Sequence, residues 1–256
     1  MMPPNQLQPV AFVVVSCDKY SDLWEPFFHS FNEYWSDCPF SVYLVTNKKV
    51  YVRPGVHVIQ VGEDRSYADN IRQALSSIRE EWIILWLEDV MFFRTIDTNR
   101  VKSIVSDAQS IPVGYLKLGP DLPLSYEVSG GSEIAPLPKG IRYRSAVGTA
   151  LYHVETLKKL LIPGASAWEL DTSNLSNELH EPFYALTADA VRHPPIEWIN
   201  TVNKGRWSWA GMRFLRQIGF DHLLSNRPRQ TLRETMYIRS FLLFGFILRK
   251  LRIYWR

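Results

Sequence analysis

The segment Trp82-Ile83-Ile84-Leu85-Trp86-Leu87-Glu88-Asp89 indicates the architecture of this chain, because an uninterrupted apolar run stops at two adjacent carboxylates. Six apolar residues in succession predict a strand that is buried on both faces, as in the middle of a parallel sheet. In open α/β sheets, ligands bind at the carboxyl ends of such strands. We therefore predict that Glu88 and Asp89 border a cleft. The alternative is an acidic turn in solvent.

Strands and helices alternate on the N-terminal side of this segment. Residues 9–16 form a β-branched apolar run that predicts another central strand, and residues 41–46 and 56–61 predict two more. Bulky apolar residues at helical spacing predict a helix over 23–35, and residues 67–78 predict a second one. This alternation predicts an α/β fold with a Rossmann-type mixed sheet flanked by helices.

The C-terminal half has a less regular pattern. Residues 112–141 are rich in Pro, Gly and Ser, which predicts short strands and long loops. An extended segment is expected over 143–152, followed by helices over 154–161, 173–179 and 207–218. We expect these parts to belong to the same domain as the sheet.

The cysteine content and the apolar segments favour a cytoplasmic protein. Cys17 and Cys38 match no zinc, redox or disulfide spacing, so a reducing compartment is expected. The first nine residues are polar and rich in proline, which is untypical of a secretory signal. The sequence contains no run of the roughly 20 apolar residues that a membrane-spanning helix needs.

The positive charge of the chain is concentrated at its C-terminal end. Residues 227–256 contain eight Lys or Arg and one acid (Glu234), a net charge of +7, whereas the whole chain carries only +3. The body is thus acidic, which argues against binding to nucleic acid. We predict a body over 1–226 and a basic amphipathic segment over 227–256 that lies on an anionic membrane surface. Alternatively, its apolar run at 241–248 packs on the body or on a partner subunit.

Several segments, taken in order, resemble one family. They are VVSCDKY at 14–20, SYADNIRQAL at 66–75, WIILWLEDVMF at 82–92, YRS at 143–145, WELD at 168–171 and NKGRW at 203–207. Together they resemble bacterial glycosyltransferases of surface polysaccharides (lipopolysaccharide, O-antigen and capsule), which are similar to GT-A enzymes. The resemblance spans about 10–220 of the chain. The acidic pair departs from the family pattern, because it is Glu-Asp and no Asp-x-Asp motif is present.

The resemblance implies an enzyme that transfers a sugar from a nucleotide-sugar donor to a lipid-linked or oligosaccharide acceptor. It further implies an inverting reaction in polysaccharide biosynthesis, at the inner face of the cell membrane. A retaining enzyme remains an alternative for the stereochemistry. A second hypothesis, favoured by the incomplete acidic motif, is a non-catalytic membrane-associated assembly protein that keeps the fold without the chemistry.

The resemblance also implies a donor site at the strand ends. The residues implied are Ser16, Asp18, Tyr20 and Asp69 for the nucleoside, Glu88 and Asp89 near the diphosphate, and Lys204 and Arg206 in a loop that closes over it. Asp89 would act directly or through Mn²⁺ or Mg²⁺, and a reaction without metal remains open. Several of these assignments have structural alternatives. They are a turn or cap for Asp18, an exposed helical carboxylate for Asp69, and a surface turn for Lys204 and Arg206.

An inverting transfer requires a carboxylate that deprotonates the acceptor hydroxyl. Asp171 is the first candidate for this base and Glu169 the second, while Trp168 is expected to stack on the acceptor sugar. Arg144 is a candidate for binding an acidic acceptor or a phosphate, with an ordinary salt bridge as the alternative. For Asp171 the alternative is structural, since Asp171 or Thr172 also suits the start of the next helix.

Overall fold

The computed structural model describes residues 7–119, 132–140, 143–238 and 240. The strands are β1 (Val10–Val15), β2 (Ser41–Thr46), β3 (Val56–Gln60), β4 (Trp82–Leu87), β5 (Val90–Phe92), β6 (Tyr115–Lys117), β7 (Ile134–Pro136), β8 (Ala150–His153), β9 (Phe183–Leu186), β10 (Trp198–Asn200), β11 (Val202–Asn203) and β12 (Arg206–Trp207). The α-helices are α1 (Trp24–Tyr34), α2 (Tyr67–Ala74), α3 (Thr98–Ser110), α4 (Val154–Leu160), α5 (Ala167–Thr172), α6 (Leu175–Glu178), α7 (Ala188–Arg192) and α8 (Trp209–Gln217). Three 3₁₀-helices cover Asp18–Leu23, Leu75–Ser77 and Asp221–Ser225, and residues 232–238 are helical.

Within the described residues, the main sheet has the order β3-β2-β1-β4-β8-β6-β9-β7. The first four strands are parallel to one another, whereas β8 runs antiparallel to both of its neighbours. Two small antiparallel pairs, β5 with β10 and β11 with β12, lie outside this sheet. This mixed sheet flanked by helices confirms the predicted Rossmann-type α/β fold class.

Strand β1 is central and buried on both faces, as its β-branched apolar sequence predicts. Alternate residues of β1 face two separate hydrophobic cores, one on each side of the sheet. Val10, Phe12 and Val14 pack with apolar residues of α1, α3 and α8 on one face. The intervening residues of β1 pack with α2, α4 and α5 on the other face. Because β1 to β4 are parallel, the segments that follow them all meet at one edge of the sheet.

The segment after the central loops differs from the sequence expectation. Residues 143–149 do not continue β8, and both Tyr143 (φ 57°) and Thr149 (φ 52°) have left-handed backbone conformations, which an extended strand does not contain. The helix predicted over 173–179 is present as the shorter α6, and α5, which was not predicted, precedes it. Ser166 caps α5 and forms a capping box with Glu169. Asp171 therefore lies in the last turn of α5, so the structural alternative that it starts the next helix is wrong.

The start of the basic segment is joined to the body. Trp207 N–H donates to the carbonyl of Pro228 at 2.9 Å, and Gln230 N–H donates to the carbonyl of Trp207 at 2.9 Å. The helix over 232–238 begins at a capping box between Thr231 and Glu234. The predicted apolar run at 241–248 lies outside the described residues. None of the helices in the described part of the chain is long and apolar enough to cross a membrane.

Candidate functional site

A cleft with a volume of about 320 Å³ opens at the carboxyl ends of β1 and β4, beside the first turn of α2. Its polar lining consists of Ser16, Cys17, Tyr20, Asp64, Tyr67, Asn70, Glu88 and Asp89. Ala167, at the start of α5, closes one side. The predicted cleft at the strand ends is therefore present, and four of the predicted donor-site residues line it: Ser16, Tyr20, Glu88 and Asp89.

The acidic pair is largely withdrawn from solvent. Glu88 is only 7% exposed, and burial together with the charge of Asp89 raises its pKa well above the ordinary value. Burial likewise raises the pKa of Asp89 to about 7, although the nearby cation Arg227 acts in the opposite direction. Two buried carboxylates at a cleft are costly to ionise without a cation, and such groups cluster at functional sites.

The donor set at this cleft fits a cation that is shared with a ligand. No group of three or more His, Cys, Asp or Glu side chains in the described part of the chain is placed to hold a metal ion by itself. Magnesium, however, is commonly bound by one or two carboxylates, with phosphate and water oxygens completing its coordination. Glu88 and Asp89 provide two carboxylates of this kind, whereas a closed structural metal site would need more protein ligands.

Ser16 and Tyr20 follow β1 and are held by contacts outside the cleft. The Ser16 hydroxyl accepts a hydrogen bond from the Trp24 indole N–H at 2.7 Å. The Tyr20 ring packs against Arg227, whose guanidinium carbon lies 4.8 Å from the ring centre. Both side chains are thereby fixed at the cleft wall before any ligand arrives.

Asp18 holds the loop after β2 to the loop after β1. Its carboxylate accepts hydrogen bonds from the backbone N–H groups of Asn47, Lys48 and Lys49 at 3.0–3.1 Å. Burial would raise the pKa of Asp18, but donation from these amides outweighs it and lowers the pKa. Asp18 lines a second, adjoining cleft of about 320 Å³ with Asn47, and Asp64 borders both clefts.

In α2, Asn70 and not Asp69 lines the main cleft. The Asp69 carboxylate accepts hydrogen bonds from the Ser66 hydroxyl at 2.8 Å and from the Gly164 N–H at 3.1 Å. Asn70 is 5% exposed, and its amide group donates to the Asp64 carboxylate at 2.8 Å. Asp69 therefore ties the start of α2 to the turn before α5, while its neighbour borders the space for a ligand.

Tyr67 connects the acidic pair with Asp171. Its hydroxyl donates to the carbonyl of Val147 at 2.7 Å, and the Val147 N–H donates to Asp171 Oδ1 at 2.8 Å. Burial raises the pKa of Tyr67 well above its ordinary value, and the charges of Asp171, Glu88 and Asp89 raise it further. The three carboxylates thus surround one tyrosine, with the loop over 143–149 between β8 and the cleft.

Glu169 and Trp168 lie on the outer side of α5. The Glu169 carboxylate accepts hydrogen bonds from the N–H of Ser166 at 2.8 Å and from its hydroxyl at 2.7 Å. These bonds lower the pKa of Glu169. Trp168 is 60% exposed, which is unusual for a side chain with so large an apolar surface. It follows Ala167 directly and so lies next to the cleft.

The basic loop of the sequence is the tip of the β11–β12 hairpin. Lys204 (φ 50°) and Gly205 (φ 73°) both have the left-handed conformations that a tight two-residue hairpin turn requires. The Lys204 ammonium lies 5.3 Å from the centre of the Trp168 ring, within range of a cation–π contact. Arg206 points elsewhere and forms an ion pair with Glu234 at 3.5 Å.

Arg144 occupies the interior. It is 3% exposed, and its guanidinium donates to the backbone carbonyls of Leu137 and Ser176 and packs over the Phe183 ring at 4.4 Å. Burial lowers the pKa of Arg144. Its contacts join β7, α6 and β9 and do not include a residue of the cleft lining.

Sequence reasoning missed four polar residues of the cleft lining, Cys17, Asp64, Tyr67 and Asn70, and also Arg227, which packs against Tyr20. For Asn70 a signal was present, since Ser66 as a cap makes Asp69 the third helical residue, whose side chain turns back to the cap. Tyr67 and Asn70 are then the side chains one helical turn apart that remain to border the strand ends. No local sequence pattern marks Arg227 as a site residue, because its partners are distant in the sequence.

No protein-family model matches this chain, and no curated protein matches its sequence. Its structure is similar to that of the mannosyltransferase PcManGT from Pyrobaculum calidifontis in complex with GDP-Man and Mn²⁺, with 14% identity and a TM-score of 0.35. That match covers 44% of this chain and 36% of the mannosyltransferase.

The chain is also similar to S. aureus TarS, with 12% identity and a TM-score of 0.49, over 92% of this chain and 43% of TarS. A structure of TarS 1–349 in complex with UDP gives 13% identity and a TM-score of 0.47, over 70% of this chain and 58% of that one. The chain thus spans less than half the length of PcManGT and of the longer TarS structure. Likeness at this level does not establish what this chain does.

Proposed function

We propose that this protein is a glycosyltransferase that moves a sugar from a nucleotide-sugar donor to a glycan acceptor. One observation carries the proposal: the buried Glu88 and the half-buried Asp89 border a cleft at the carboxyl ends of parallel strands, and Asp171 bonds to the same Val147 backbone as Tyr67 of the cleft lining. Such a cleft offers one end for a nucleoside and diphosphate and, beside α5, a carboxylate for the acceptor.

The donor is proposed to lie along the ends of β1 and β4. Ser16, Tyr20 and Asn70 line the part of the cleft assigned to the nucleoside. Asp18 and Asp69 support this part by holding its loops, since their carboxylates are bonded to backbone amides. Asp89, supported by Glu88, is assigned to the diphosphate together with Mn²⁺ or Mg²⁺. A bound divalent cation would neutralise the charge of the departing nucleoside diphosphate.

The acceptor is proposed to approach along α5. Asp171 is assigned as the base that takes the proton from the attacking hydroxyl, as an inverting transfer requires. Glu169 is the weaker candidate because its carboxylate is engaged in the capping box of α5. Trp168 offers an exposed ring for an acceptor sugar. Arg144, which is buried, is assigned to hold the loop that carries Val147.

Binding of nucleoside diphosphates tests the proposed function. We expect UDP or GDP to bind with a Kd of about 10–100 µM in the presence of Mn²⁺, a range typical of enzyme substrates. Isothermal titration calorimetry of the full chain, with Mn²⁺ and with EDTA, measures this. A panel of nucleotide sugars then identifies the donor through release of the nucleoside diphosphate. Absence of binding for both nucleotides would favour the non-catalytic assembly protein.

The two cysteines provide a second readout of the same binding event. Burial raises the pKa of both thiols, that of Cys38 to about 12, but Cys17 lines the cleft and Cys38 does not, so Cys38 serves as an internal control. At a tenfold excess of nucleotide over its Kd, alkylation of Cys17 by N-ethylmaleimide should slow about tenfold. Peptide mass spectrometry distinguishes the two thiols. If Cys17 reacts at the same rate with and without bound nucleotide, the nucleotide does not occupy this cleft.

The β11–β12 hairpin is proposed to close over the diphosphate, with Lys204 contributing positive charge. We expect Lys204→Gln to lower kcat/KM about tenfold, a modest effect for a charge on an exposed turn. Steady-state kinetics with the identified donor measure it, and Lys102→Gln on α3, at an exposed lysine away from the cleft, is the control. Equal kinetics for the two variants would remove Lys204 from the site. Arg206 is assigned a supporting role through its contact with Glu234.

Residues 227–256 are proposed to hold the enzyme on the cytoplasmic face of an anionic membrane, where a lipid-linked acceptor of surface-polysaccharide synthesis would be located. In support, the helix over 232–238 exposes Leu232, Met236 and Tyr237 by 67–72%. Each basic residue near such a surface contributes about 1 kcal/mol. The full chain should float with vesicles that contain phosphatidylglycerol and detach in high salt. Equal flotation with purely phosphatidylcholine vesicles would contradict the electrostatic part.

A further inference from the structure

Arg227 packs against Tyr20 of the cleft lining although it begins the basic C-terminal segment. Its guanidinium donates to both carboxylate oxygens of Asp22, one of them at 2.7 Å. The guanidinium carbon lies 4.8 Å from the centre of the Tyr20 ring and 5.2 Å from that of the Trp207 ring. The side chain is 11% exposed. A planar, bidentate and stacked arrangement of this kind is specific for arginine and is not reproduced by lysine.

Two of the residues that Arg227 contacts belong to one short element. Tyr20 and Asp22 both lie in the 3₁₀-helix Asp18–Leu23, which follows β1 and contributes Tyr20 to the cleft lining. On the other side, the backbone next to Arg227 is bonded to the hairpin through Pro228 and Trp207. Arg227 thus joins the 3₁₀-helix after β1 to the β11–β12 hairpin, two segments that are almost two hundred residues apart in the chain.

We propose that Arg227 is a positioning residue of the donor cleft, which holds the Tyr20 segment against the hairpin. The inference rests on the proposed function only for its effect on nucleotide binding. The holding role is a property of the protein without ligand. The C-terminal segment therefore contributes to the cleft through its first residue, and a body that ends at residue 226 would lack this contact.

Arg53 provides a matched control for substitutions at Arg227. It forms an ion pair with Glu25 at 2.9 Å, stacks over the Phe28 ring at 5.7 Å and has an 18% exposed side chain, but it does not line the cleft. Arg227→Gln, Arg227→Lys and Arg53→Gln are compared in the full chain. Two readouts separate positioning from general stability: the rate of Cys17 alkylation without ligand, and the Kd for UDP or GDP, whichever binds the wild type.

We expect both Arg227 variants to react about fivefold faster at Cys17, since freeing the 3₁₀-helix lowers the free energy of local opening. Arg227→Gln should weaken nucleotide binding about tenfold and Arg227→Lys about threefold, because lysine keeps the charge without the bidentate grip. Arg53→Gln should change neither quantity. If Arg227→Gln does not fold, Arg227→Lys alone decides the holding role.

Arg227 variants that match Arg53→Gln in both readouts would overturn the inference. Faster alkylation with unchanged nucleotide affinity would support the holding role and overturn its effect on the donor. A wild-type protein that binds no nucleoside diphosphate would instead overturn the proposed function. The alkylation rates would still decide whether Arg227 holds the wall of the cleft.

Discussion

Asp89→Asn is expected to abolish sugar transfer, with kcat/KM reduced about 10³-fold or more, as for the loss of a group that stabilises transition-state charge. Asp89 lies at the carboxyl end of the central strand β4 and is one of the two carboxylates that can meet a diphosphate-bound cation. Asparagine has the same shape but neither the charge nor the affinity for a divalent cation. Release of nucleoside diphosphate from the identified donor, together with calorimetry of UDP or GDP binding with Mn²⁺, measures the effect.

The stability of the same variant should change in the opposite direction. Burial raises the pKa of Asp89 to about 7, so its stabilising contribution is present below the unfolded-state pKa and is lost as the pH rises through 7. At pH 8 the ionised carboxylate therefore costs folding free energy, and asparagine removes this cost. We expect the Tm of Asp89→Asn at pH 8 to equal or exceed that of the wild type. Loss of activity with unimpaired folding is typical of functional residues.

Asp97→Asn is the matched control for this substitution. Asp97 caps α3 by accepting a hydrogen bond from the Arg100 N–H at 3.0 Å, and asparagine caps helices equally well. This control should keep wild-type activity, nucleotide affinity and Tm. If Asp89→Asn instead retains more than about a tenth of the wild-type kcat/KM, a loss of less than 1.4 kcal/mol, Asp89 does not meet the diphosphate.

The strand ends could be predicted from the sequence because the signals there are local. Strands β1 and β4 are uninterrupted apolar runs, and only a strand buried on both faces accommodates such a run. Parallel neighbours then have their carboxyl ends at one edge, which brings Ser16 and Glu88 to the same cleft. The turn at Lys204-Gly205 was also visible in the local sequence, because it is a short segment that contains glycine, and it forms the tip of the β11–β12 hairpin.

The remaining parts of the site depend on contacts between distant residues. Arg144 looks like a ligand-binding cation in the sequence, but packing against Phe183 and two backbone carbonyls places it in the interior. Arg227 belongs by composition to the basic segment, and only its contact with Asp22 brings it to the cleft. Neither periodicity nor capping patterns report such contacts, because they describe neighbours within one element.

The position of the loop over 143–149, which links α2 to α5, also could not be predicted from local sequence patterns. Its polar sequence suggested an extended strand, yet left-handed conformations at Tyr143 and Thr149 turn it toward the cleft. It is held there by Tyr67 and Asp171, which bond to opposite sides of the Val147 backbone. The half-buried Tyr67 thereby couples α2 to α5.

Asp171→Asn is therefore expected to separate binding from chemistry. A general base contributes about 10² to 10⁴ in rate, so kcat should fall within that range. The Kd for UDP or GDP should stay within about twofold of the wild type, because the base acts on the acceptor hydroxyl and not on the donor. The asparagine oxygen can still accept from the Val147 N–H, so the loop over 143–149 should keep its place. Single-turnover kinetics and calorimetry measure the two quantities.

Glu169→Gln is the control for this experiment, and it is also the competing base. Its carboxylate is exposed and bonded to Ser166, and glutamine can keep both of those bonds, so we expect a change in kcat of less than about threefold. A large loss of kcat in Glu169→Gln together with normal turnover in Asp171→Asn would identify Glu169, and not Asp171, as the base. If both variants turn over normally, no carboxylate of α5 acts as the base. An inverted anomeric configuration of the product, observed by NMR spectroscopy, is the companion expectation, because a base that activates the acceptor hydroxyl serves a single displacement at the anomeric carbon.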